Sequence, residues 1–153
     1  MSKEILLKTA AQLRQPSAEA KKEFSKKLNA LVEQMNQTML NRKDINELVG
    51  PGNIEMMKDN NANHARFMES LFDNFIPEVL VDSVLWVFRA YRSRNFSSTY
   101  WSAQLNARIN IYNKELSENT FNEILPFYKW MLVNIPIFNK LAEEEIDAPL
   151  SSK

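Results

Sequence analysis

An all-α fold of about six helices is predicted by three observations. Glycine is nearly absent: Gly50 and Gly52 are the only two in 153 residues, and both sit in "VGPGN". A sheet protein of this length needs many turns with positive φ, which glycine supplies at least cost. The composition is rich in Leu, Glu, Lys, Gln, Asn and Met and poor in β-branched runs, which favours helix. Finally, apolar residues recur at spacings of three and four along most of the chain.

The elements follow in order. Residues 3–14, "KEILLKTAAQLR", form a short amphipathic helix or a loose arm that Pro16 stops, so 1–16 is set apart from the body of the domain. Ser17 caps a long helix. Phe24, Leu28, Leu31, Val32, Met35 and Met39 make its apolar stripe, and Lys21, Lys22, Lys26 and Lys27 its solvated face. "RKDINELV" adds one turn before "VGPGN" breaks the chain. A third helix spans about Asn53 to Phe75, with His64, Phe67, Met68, Leu71, Phe72 and Phe75 on its apolar side. Pro77 suits the first turn of a fourth helix, where its missing N–H is no loss. Leu80, Val81, Val84, Leu85 and Phe88 form that helix's stripe, and Trp86 and Tyr91 lie off it.

"VFRAYRSRNFSSTYW" is then an elbow between two helices. Phe88 closes one stripe and Trp101 opens the next, while Ser97 or Ser98 caps the fifth helix. Arg89, Arg92 and Arg94 meet the negative end of a helix dipole, worth about 0.3–1 kcal/mol each. Trp101, Leu105, Arg108, Ile109 and Tyr112 line one side of the fifth helix. Ser117 caps the last, which carries Phe121, Ile124, Leu125, Tyr128, Leu132 and Ile135. Pro126 and Pro136 predict that this helix is bent or in two pieces. Residues 17–142 form the domain and 143–153 an acidic tail.

Several functions are excluded or disfavoured. Lysine plus arginine equals aspartate plus glutamate at 19 each, so no global field draws nucleic acid or an acidic membrane. No apolar run reaches the roughly 20 residues that cross a bilayer. Cysteine is absent, which removes thiolate chemistry and, with no signal peptide in view, points to the cytoplasm. With one histidine, no phosphate-cradling glycine loop and no clustered carboxylates of ligand spacing, an enzyme and a metal site are not expected. Trp86 and Trp130, off the main stripes, are the candidates for a homodimer interface.

"NNANHARFMESLF", "EVLVDSVLWVFRAYRS", "YWSAQL" and "ILPFYKWMLVNIP" together resemble the N-terminal sensory domain of RsbR-type stressosome proteins of the Vibrio-like branch, over roughly residues 20–142. The resemblance implies a globin-like fold, a homodimer, and transmission of a stress signal to STAS-domain partners through the fourth and final helices. It also raises haem. His64 shares a helix face with Phe67 and Met68, so those residues and Phe88 would line a cofactor or ligand pocket. The position of a proximal ligand would fall near "RSRNF", where Arg94 stands and no histidine does. The expectation is therefore a sensor without a cofactor, with haem on His64 as the alternative and a ligand-free interaction module as a third reading.

Overall fold

A computed structural model describes residues 2–146, with side chains described for 3–144. Those residues form helices and connecting turns, with no strand among them. Eight helices replace the six expected: α1 Ser2–Ala10, α2 Ala18–Leu40, α3 Ile45–Val49, α4 Ile54–Asp73, α5 Pro77–Arg92, α6 Tyr100–Glu115, α7 Glu118–Val133 and α8 Ile135–Ile146.

The centre of the fold is α2, which packs against α4, α6 and α7. Its buried positions Ala20, Phe24, Leu28, Leu31, Met35 and Met39 step by three or four, so one stripe faces all three neighbours. An edge-to-face series of rings joins these helices: Phe24 to Phe72 at 5.2 Å, Phe72 to Phe127 at 5.3 Å, and Tyr112 to Tyr128 at 5.3 Å.

Two expected caps are present. The Ser17 hydroxyl accepts from the Ala20 amide, and the Ser117 hydroxyl accepts from that of Thr120. Each cap is also held by a glutamate from the other helix. Ser17 donates its N–H to Glu123 at 2.6 Å, and Ser117 donates to Glu23 at 2.8 Å. Although burial pushes the Glu23 carboxyl up, bonds from Lys27, Ser117 and Thr120 bring it down to about 2. Pro77 opens α5 as expected. The cap of α6 is Thr99, not Ser97 or Ser98. Ser97 Oγ instead accepts the Thr99 amide inside the turn.

A second group of helices lies to one side. Along α8 and α1 runs α5, so the N-terminal segment belongs to the packed domain: Leu6 and Ala10 are fully buried. The elbow is built as expected. Phe88 stacks on Trp101 at 4.4 Å, Tyr91 meets Phe96, and Phe96 meets Tyr100.

At the C-terminal end, α7 runs through Pro126, and the break falls at Asn134. Pro136 has no N–H to return to the Leu132 carbonyl, so the ladder cannot continue. The two pieces serve different neighbours, α7 packing on α2 and α6 and α8 on α5. Helix persists to Ile146, beyond the expected start of the tail at 143, and the rest of that tail lies outside the described residues.

Candidate functional site

Although joined by a short turn, α4 and α5 pack on different partners. One follows α2, the other α8 and α1. Both ends of the resulting wedge are tied. At one end the Asn53 amide donates to the carbonyls of Val49 at 2.7 Å and Arg94 at 2.8 Å, and the Ser97 N–H donates to the Leu48 carbonyl. Gly50 has φ +85° there, and a Cβ would sit 2.9 Å from the Asn95 carbonyl oxygen, so only glycine lets the junction close. At the other end, Gln15 donates to the Asp73 carbonyl and accepts from the Phe75 amide.

Between these ties lies a pocket of about 380 Å³. Asn60, Asn63, His64 and Phe67 of α4 line one side. Asp82, Ser83, Val84, Trp86, Val87, Phe88 and Tyr91 of α5 line the other. Trp101, Gln104 and Leu105 of α6, with Met131 of α7, complete it. An apolar cavity of this size with a few convergent polar groups is the usual form of a ligand site. A larger cleft of about 640 Å³ runs between the ends of α2 and α6. It is lined mainly by exposed polar side chains, Thr38, Arg42, Asn106, Asn110 and Lys114 among them, and lacks such convergence.

The predicted residues divide clearly. His64, Phe67 and Phe88 line the pocket. Met68 does not. It is fully buried on the side of α4 that carries Met57, Asn61, Ala65 and Phe72, one position round the helix. Trp86 is 56% exposed at the pocket rim, in one row with exposed Val79 of α5 and Ile76, which precedes that helix. Trp130 is corrected as an interface residue. It is only 7% exposed, its indole N–H donates to the Thr9 hydroxyl at 2.9 Å, and its ring packs edge-on against Phe138. Helices α1 and α8 cover the face that would have presented it.

His64 Nε2 and the Tyr128 hydroxyl share a hydrogen bond of 2.8 Å. Burial holds the imidazole well below its usual range, and the positive charge of Arg108 adds to the effect, so the ring is neutral at pH 7. Burial likewise raises the Tyr128 phenol, with Tyr112 adding to it, so that hydroxyl keeps its proton.

Behind the pocket lies a polar cluster that the sequence pattern did not reveal. Arg108, 1% exposed, donates Nε–H to Gln104 Oε1 at 3.2 Å and Nη2–H to Asn61 Oδ1 at 3.1 Å. Asn61 passes its own amide hydrogens to Asn36 and to the Met57 sulfur. Tyr100 donates to Asn60 Oδ1 at 3.1 Å. The available signal was polar residues at core spacing: Asn61 falls four after Met57 and four before Ala65, and Arg108 four after Gln104.

A haem does not fit these residues. The only imidazole has its Nε2 engaged by the Tyr128 hydroxyl at 2.8 Å. The turn at Arg94 offers no ligand from the other side. Among the described residues no group of three His, Cys, Asp or Glu could hold a metal ion, and no helix is long and apolar enough to cross a membrane. Comparison of the chain with protein-family models, with curated proteins and with solved structures finds no match.

Proposed function

We propose that this chain is a non-enzymatic helical sensory domain in which a small, largely apolar ligand entering the wedge between α4 and α5 alters helix packing. The observation that carries this reading is the pocket itself, bounded by one helix of the α2-centred group and one of the α5–α8 pair. A ligand there touches both groups at once. The route outward is α5. That helix lines the pocket with one face, packs on α8 with another, and is bonded to it through Arg92 and Glu143 at 3.0 Å. Its outer row, Val79 and Trp86, continued by Ile76 just before the helix, is the face we assign to a homodimer, since large apolar side chains are enriched at such contacts.

The likeness to RsbR-type sensory domains supports the same reading. It would make the protein a cytoplasmic stress-signalling component, globin-like in fold, with STAS-domain stressosome proteins as its output. Sedimentation equilibrium of wild type and Trp86→Glu tests the interface. The expected result is a wild-type dimer and a folded, monomeric variant. A wild-type monomer at all concentrations would remove the dimer from the proposal.

A further inference from the structure

Arg108 is a fully buried cation without a counter-ion. Among the described residues no carboxylate pairs with it, and its two hydrogen bonds go to neutral amide oxygens. A guanidinium has five N–H donors, and a buried charge is costly unless an opposite charge or a dense set of hydrogen bonds compensates it.

The cluster also fixes the orientation of Gln104. An arginine Nε can only donate, so the atom facing it must be the amide oxygen of Gln104. The amide nitrogen, with its two donors, therefore belongs to the other end of the group. Gln104 lines the pocket, is 3% exposed, and donates to no protein atom among the described residues. Asn61, the other partner of Arg108, has both ends of its amide occupied and faces away from the pocket. The charge of Arg108 is thus relayed toward the cavity through a single side chain. Most of the remaining lining is apolar or aromatic, Phe67, Val87, Phe88, Trp101, Leu105 and Met131 among it, and its other uncharged polar groups are Asn60, Asn63, His64 and Ser83. The one carboxylate on the lining, Asp82, is at the exposed rim and paired with Lys3 at 2.9 Å.

Resting on the reading of this pocket as the ligand site, we infer that its ligand is a monocarboxylate with an apolar body, whose head accepts hydrogen bonds from the Gln104 amide within the field of Arg108. The positive charge selects the anion, and the aromatic walls hold the body. A hydrogen bond to an ionised acceptor is roughly twice as strong as a neutral one, and desolvation strengthens it further.

Calorimetric titration of the whole chain with decanoate, decanol and decylammonium, below the concentrations at which they form micelles, tests the inference. The expected result is decanoate binding about tenfold or more tightly than decanol, with decylammonium weakest. Gln104→Leu and Arg108→Met should each bring decanoate close to decanol, weakening decanoate more than decanol. Circular dichroism checks the Arg108 variant; should it not fold, Gln104→Leu decides alone. Equal binding of decanoate and decanol by wild type overturns the inference and leaves the pocket standing. So does a preference that survives Gln104→Leu. If none of the three binds wild type, the pocket reading fails and takes this one with it.

Discussion

The two sides of α4 are built differently. On the side turned to α2, Met57, Ala65, Met68 and Phe72 are buried, Phe72 meets Phe24 edge-on, and Asn61 has both ends of its amide bonded. On the side turned to α5, Asn60, Asn63, His64 and Phe67 border open space. One face supplies stability, the other room. The difference arises from where the neighbours are directed: α2 lies along α4, whereas α5 leaves it for α8. A single helix can therefore be both a core element and a pocket wall, provided that its buried residues fall on two stripes one position apart.

The comparison can be broken most sharply by truncating one ring on each side. Phe72→Ala removes a ring that meets both Phe24 and Phe127, and should cost about 3–5 kcal/mol in urea unfolding. Phe67→Ala, on the pocket wall, should cost about 1 kcal/mol, because its ring is only partly buried and already borders open space. Equal losses would mean that the two sides are packed alike.

Smaller is the effect of Tyr128→Phe. It deprives the His64 Nε2 of its partner and should cost about 1–3 kcal/mol in the same unfolding measurement.

The mildest test separates the two sides by pH. His64 is depressed in the folded chain, so the unfolded chain takes up its proton first, near 6.5. Its contribution is complete above 6.5 and falls as pH drops below it, by up to about 1.4 kcal/mol per pH unit until the folded imidazole also protonates. His64→Gln should flatten that limb. Glu23 is depressed too, but as an acid. Its contribution is complete above 4.5 and is lost as pH falls from there toward about 2. Glu23→Gln should therefore leave the limb between 6.5 and 4.5 intact. Chemical denaturation at half-unit pH steps reads both. A limb below 6.5 that survives His64→Gln would show that another group carries it.

Where local chemistry decides, the sequence was legible. Ser17, Ser117 and Pro77 mark helix starts because capping and a missing N–H are matters of three or four residues. The long stripe of α2 was readable because one helix has one dominant face. The reading of "VFRAYRSRNFSSTYW" as an elbow held because stripes end and begin there. His64, Phe67 and Phe88 were brought together as expected. Trp130 was misjudged because α7 is covered on several sides, and a helix enclosed by α1, α2, α6 and α8 has no single outer face to read. Asn60, Asn61 and Gln104 are passed over by a periodicity of apolar residues, although Asn61 and Gln104 stand at core spacing. Arg108 could be placed on the inner side of its helix, but its lack of an anion appears only once the neighbours are assembled.

One consequence of the ties at Asn53 and Gln15 concerns how anything gets in. Asn53 ties the start of α4 to the turn that follows α5, and Gln15 holds the turn that joins the two helices at the other end. If the cavity takes a ligand as proposed, the way in lies along the length of the two helices, where Trp86 stands at the rim, and covering that indole in a dimer would narrow it.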